Sequence, residues 1–202
     1  MADGAAGFSF GAVAAAAHFS VVQACALSLL CFTGASQFAL VGVLSAGGSV
    51  AAGTSSALLL GARNAVYSVR LARLLSRRGR ALSAHLVIDE STGMALAQPD
   101  EAAARRAFLA TGLAVFVFWN VGTLVGALVG GLLGDARRFG LDAVGPAVFV
   151  ALLAPQLRTR RHWQALGVAL AVTVLVVPWV PPGVPVLIAG AALIPYAVRW
   201  RQ

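Results

Sequence analysis

Apolar runs about as long as a bilayer is thick recur along the whole chain, and every basic residue between them is Arg. A hydrocarbon core of about 30 Å takes about 20 apolar residues in helical form. Backbone polar groups in lipid must be satisfied within the segment, which helices do. With 59% hydrophobic and 11% charged residues among 202, there is too little polar surface to cover a soluble domain. The expectation is an all-α, polytopic transmembrane bundle forming a single domain over residues 1–202, with the lipid bilayer as solvent.

The runs extend over Gly7 to Cys31, Phe38 to Leu60 (interrupted by Gly47 and Gly48), Ala107 to Gly134, Ala143 to Leu157, Trp163 to Val180 and Val184 to Val198. Ala81 to Ala97 is apolar at its ends but carries His85, Asp89 and Glu90 in its middle. Cytoplasmic loops hold the excess of positive charge. If Ala81 to Ala97 dips in and returns, thirteen Arg lie inside and only Arg137 and Arg138 outside; if it crosses, the split is eight to seven. About six spans plus one re-entrant or broken segment, with both termini cytoplasmic, is the expected topology. The first run reads as a retained span, there being no basic n-region and cleavage site. Gly122, Gly126, Gly130 and Gly134 recur every four residues, a stripe on which another backbone can pack closely. Pro178, Pro181, Pro182 and Pro185 predict a tight outer hairpin between the last two runs, and Pro146 and Pro155 fall in the fourth. No tandem repeat is evident, and an inverted repeat of the transporter kind would leave little trace at this level.

Several function classes drop out. The Arg residues sit in short juxtamembrane clusters, so the net charge of +8 points to anchoring and not to nucleic acid. Cys25 and Cys31 form no CxxC pattern and read as small packing residues; no metal or cofactor is expected. There is no HExxH, Walker A or haem motif and no assembled Ser, His and acid set, so an enzyme is not expected.

Phe32-Thr33-Gly34-Ala35-Ser36-Gln37-Phe38 with Gly42, then Arg63-Asn64-Ala65-Val66-Tyr67, then Asp89-Glu90-Ser91, follow one another in order. Trp119 with Thr123 and Gly126, and Leu141-Asp142 ahead of Pro146, continue the series. Together these resemble the AzlC family of branched-chain amino acid permeases, over roughly residues 7 to 162. Gly61, Asn64 and Ile88 stand where that family usually has Asn, His and Thr. The resemblance implies an inner-membrane exporter of branched-chain or similar apolar amino acids, working with a small AzlD-type membrane subunit. A proton gradient is the expected energy source, and a homo-oligomer is compatible with it. The competing reading is a scaffold or regulatory subunit of a transport complex.

The candidate residues follow from what a zwitterion and a proton need. An ionised side chain at bilayer depth costs about 2.5 to 3.5 kcal/mol on insertion scales, so Asp89 and Glu90 are functional candidates or else interfacial partners of the Arg cluster. His85, four residues before Asp89, would share its face in a helix and complete a proton-coupling set. Arg63 with Tyr67 one turn on could bind a carboxylate, or snorkel at the interface, and Asn64 is adjacent. Gly34, Ser36 and Gln37, beside Thr33, suit a broken-helix substrate contact or a short outer turn. Trp119 and Thr123 are candidate substrate contacts inside the long run, where Asn120 must bond across helices or line the path. His18, alone on an alanine-rich face, reads as a packing histidine.

Overall fold

The computed structural model describes residues 2–74, 80–132 and 157–198, with single positions 147, 150, 153 and 154. The described residues are helical, without strands: α1 (Ala2–Ala16), α2 (Val21–Leu30), α3 (Ala35–Ser45), α4 (Val50–Leu71), α5 (Arg80–His85), α6 (Asp89–Leu96), α7 (Glu101–Leu132), α8 (Arg160–Val176), a 3-10 turn at Val177–Trp179, and α9 (Val184–Val198). Most of the Ala143 to Leu157 run lies outside these residues, as do Gly134, Asp135, Arg137, Arg138, Asp142, Pro146, Pro155, Arg199 and Arg201.

The centre of the fold is α7, whose 32 residues make about 48 Å of helix, well beyond one hydrocarbon thickness. It begins at Glu101, earlier than the apolar run, and its first turns carry exposed Glu101, Arg105 and Arg106, so the excess length projects at that end. Against it lies α1, backbone on backbone. A Cβ placed on Gly122 would strike the Gly4 carbonyl, one on Gly126 the Phe8 carbonyl, one on Gly7 the Trp119 carbonyl and one on Gly11 the Thr123 carbonyl. Because Gly7 pairs with Trp119 and Gly11 with Thr123, the two helices run parallel, and glycines on both sides permit the approach. Gly130 lies against Ala12 and Ala15, so Gly122, Gly126 and Gly130 of the predicted stripe all face α1, whose half of the contact is visible only in three dimensions.

The first apolar run is not one span. Ser20 caps α2 by accepting from the Gln23 amide, while Gln23 Oε1 accepts from the Ser20 amide at 2.8 Å, a reciprocal box that starts a new helix. His18, in the link, is exposed with φ +63°, so it is a turn residue and not a packing histidine. From there α2 descends α7 in the opposite sense to α1: Ser28 meets Thr123 and Phe32 meets Phe116. At 15 and 10 residues, α1 and α2 are about 22 and 15 Å long, each short of a crossing.

The Phe38 to Leu60 run is also divided. A turn at Ala46–Ser49 separates α3 from α4, with Gly47 at φ +81° and Ser49 capping the Ala52 amide at 3.1 Å. The last two helices form the expected hairpin, turning through Pro181 to Gly183, and it docks on α4 where the Ser56 hydroxyl donates to the Gly183 carbonyl at 3.3 Å. Ala81 to Ala97 is broken, as expected, between α5 and α6. Among the described residues, then, two helices have both the length and the apolarity of a full span, Glu101–Leu132 and Arg160–Trp179, in place of uninterrupted crossings by every run.

The apolar side chains that a water-soluble fold would hide are largely outside. Val117, Val121 and Leu132 on α7 and Val174 and Leu175 on α8 are exposed, and α8 buries none of its residues. Surface of that kind and extent suits lipid.

Overpacking a tight contact typically costs about 1–3 kcal/mol. Gly126→Ala should lower thermal stability in detergent by that order and Gly126→Val by more, whereas Gly131→Ala, with nothing within 4 Å of an added methyl, should leave the melting temperature unmoved.

Candidate functional site

Two non-helical links converge near the midpoint of α7. One, Cys31 to Gly34, joins α2 to α3; the other, Leu86 to Ile88, joins α5 to α6. Irregular backbone at membrane depth persists only where its polar groups are satisfied or face a cavity. Leu86, Val87 and Ile88 are buried, and the fully buried Ser91 serves this link: its hydroxyl lies 2.6 Å from the Leu86 carbonyl, to which it donates, and accepts from the Ile88 amide at 3.2 Å. Ile88 is extended, at φ −129° and ψ 174°, and α6 begins at the following residue. The other link ends at Gly34, whose φ of +58° is in the region glycine tolerates best, and α3 starts there without a side-chain cap.

Between the links lies a cavity of about 220 Å³. Its polar lining is Asp3, Thr33, Arg63, Asn64, Asp89 and Glu90; its apolar lining is Ala6, Phe32, Phe38, Ile88, Val115 and Trp119 with Gly34 and Ala35. Behind it Phe10, Phe38 and Trp119 pack as an aromatic block, with the Phe10 and Phe38 rings edge to face at 5.4 Å. The starts of α3 and α6 both face the cavity, and helix N-termini carry partial positive charge.

One ion pair spans the site: Arg63 Nη2 is 2.8 Å from Asp89 Oδ2. It joins α4 to the start of α6 and leaves Asp89 Oδ1 buried without a hydrogen-bond partner among the described residues. Thr33 Oγ1 and Trp119 Nε1 are likewise buried and unpartnered. Buried polar atoms are nearly always paired. Three such exceptions, on Thr33, Asp89 and Trp119, belong to residues that line this cavity, which makes it the candidate site.

Of the residues singled out in the sequence, Gly34, Arg63, Asn64, Asp89, Glu90 and Trp119 come together here. Asp89 is half-buried and Glu90 exposed, so the acids sit at the cavity's rim and not in a sealed core. Tyr67 lies close beside Asp89 without lining the cavity. The others serve elsewhere. Gln37 is fully buried and donates to the Leu27 carbonyl at 3.1 Å, holding α3 to the end of α2. Ser36 faces Gly61 across the α3–α4 contact. Thr123 is fully buried and its hydroxyl accepts from Ser28 at 3.2 Å, so it fastens α2 to α7. Asn120 neither crosses to another helix nor lines this cavity; its amide donates to the Phe116 carbonyl of its own helix at 2.8 Å. Cys25 and Cys31 are free, Cys31 exposed where a small packing residue would be covered.

His85 requires a larger correction. It ends α5 whereas Asp89 starts α6, and the extended link between them removes the shared helical face that four-residue spacing implies. Its ring lies 5.8 Å from those of both Phe32 and Phe116 and lines a neighbouring cavity on the far side of Phe32.

Asp3 lies before the first apolar run, in the first turn of α1, and only the packing of α1 on α7 brings it to the site. The role of Ser91 has no sequence signal, since the usual capping pattern puts Ser at the N-cap, here Ile88, and Glu or Gln three residues on, where Ser91 stands.

The AzlC protein family profile matches residues 1–133. An uncharacterized membrane protein of Archaeoglobus fulgidus is 32% identical over 166 residues, covering 79% of this chain and 72% of its own length. An uncharacterized membrane protein of Helicobacter pylori strain 26695 is 31% identical over 175 residues, covering 84% of this chain and 76% of its own. No solved structure matches the chain.

The Arg63–Asp89 pair has side chains 31% and 34% exposed, so its loss should cost little stability, under about 1 kcal/mol. Arg63→Gln should therefore melt close to the wild type. A large fall in melting temperature would make the pair a structural clamp.

Proposed function

Since the chain belongs to the AzlC family, a family of membrane proteins with transport-related roles, we propose that it exports branched-chain or similar apolar amino acids across the inner membrane. The observation that carries this reading is the composition of the cavity between the two links. The acids Asp3, Asp89 and Glu90 suit the ammonium of an amino acid, the neutral polar residues Thr33 and Asn64 its carboxylate, and Phe32, Phe38, Val115 and Trp119 an aliphatic side chain. The volume, about 220 Å³, is below the roughly 300–1,000 Å³ of sites for drug-sized molecules and fits a small metabolite. Discontinuous helices whose ends point at a mid-membrane site are the usual means by which secondary transporters hold zwitterions.

Asp89 and Glu90 are the proton-coupling groups in this proposal, without His85. Asp89 is tied to Arg63 through one oxygen, so a substrate ammonium reaching Oδ1 and a proton arriving at the pair compete for the same carboxylate. That competition links export to proton entry. A small AzlD-type subunit completes the transporter, and both termini face the cytoplasm.

In everted vesicles preloaded with an outward-acting pH gradient, Asp89→Asn should reduce leucine transport by about tenfold or more with protein levels intact. Collapsing the gradient should have a similar effect on the wild type. Unchanged transport in the variant would favour the alternative, a scaffold whose partner carries the substrate; transport indifferent to the gradient would indicate a passive channel.

A further inference from the structure

We infer that the cavity is foremost an organic-ammonium site, so that apolar primary amines lacking any carboxylate enter it, while the corresponding keto acids and N-acylated amino acids do not. This deepens the exporter reading and rests on it. The basis is a count of charge against partners. Asp3, Asp89 and Glu90 line the cavity, whereas Arg63 is the one cation lining it among the described residues, and it is already bound to Asp89 at 2.8 Å. A guanidinium so engaged is not free to receive a substrate carboxylate, contrary to what its spacing from Tyr67 suggests. The formal surplus is two negative charges, at Asp3 and Glu90, with Asp89 Oδ1 left as a buried acceptor. A cation is what such a set lacks.

The opposite pole is built differently. What the cavity offers a carboxylate besides Arg63 is neutral: Thr33, Asn64 and Trp119 among its lining residues, and the uncapped start of α3 at Gly34. Such groups solvate an anion but need no charge in return. The aliphatic body lies against Phe38 and Val115 in either case. The ammonium is therefore the indispensable end of the ligand and the carboxylate the dispensable one.

The test is equilibrium binding of radiolabelled leucine to the full chain in nanodiscs, competed with 3-methylbutylamine, 4-methyl-2-oxopentanoate and N-acetyl-leucine. The amine should displace leucine with an affinity within about tenfold of leucine's own, and the two ligands without an ammonium should be weaker by about a hundredfold or more. Trp119→Phe should weaken leucine several-fold more than it weakens the amine, and Glu90→Gln should weaken both by about tenfold. If leucine binds but the amine fails to compete, or the keto acid competes as well as leucine, the inference is overturned and the exporter reading stands. If leucine itself does not bind, both fall together.

Discussion

The contact between α1 and α7 sets the frame. Two helices meet so closely that Cβ atoms at Gly7, Gly11, Gly122 and Gly126 would enter the backbone of the other. In lipid, apolar side chains gain nothing by leaving the solvent, so helix association depends on close van der Waals packing, and glycine gives the shortest distance. The consequence is directional. With α1 locked parallel to α7, the capping box at Ser20 turns the chain back, and α2 descends along α7 until Phe32 rests on Phe116. The Cys31 to Gly34 link is thereby delivered to the middle of the bundle.

The second link reaches the same place by a different device. Buried non-helical backbone in an apolar setting costs several kcal/mol per unsatisfied group. In the Leu86 to Ile88 link one hydroxyl, that of Ser91, satisfies the Leu86 carbonyl and the Ile88 amide, while the Leu86 and Val87 amides donate to the Ser83 and Ala84 carbonyls and the Ile88 carbonyl accepts from the Thr92 amide. Once both links sit at one depth, the residues beside them follow: Thr33 and Gly34 on one side, Asp89 and Glu90 on the other, and Arg63 on α4 reaching across to Asp89. The cavity is what remains between two interrupted helices and one continuous one.

That arrangement also separates residues that look alike in sequence. Ser36 and Gln37 come two and three residues after Gly34, yet neither lines the cavity, because once α3 begins its residues are 100° apart around the axis. Thr123 is one turn beyond Trp119 on the same helix, but at that level α7 is covered by α2, and the hydroxyl meets Ser28 where the indole meets the cavity. His85 and Asp89 are the clearest case. Their spacing implies a common face only while the helix continues, and no Gly or Pro announces that it stops.

What the sequence determined by itself was the solvent and the class: long apolar runs with sparse Arg between them leave helices in a bilayer as the solution, and the glycine stripe on α7 declares a close partner without naming it. The motif positions Gly34, Arg63, Asn64, Asp89, Glu90 and Trp119 were legible as a set, since polar and charged residues amid apolar runs are costly unless used. Tertiary structure alone decided which runs are continuous, which face each residue presents, that Asp3 joins the site and that Arg63 is occupied. The physical reason is that hydropathy averages over a segment, whereas a break depends on one hydroxyl finding two backbone groups, and a cavity on where two such breaks come to rest.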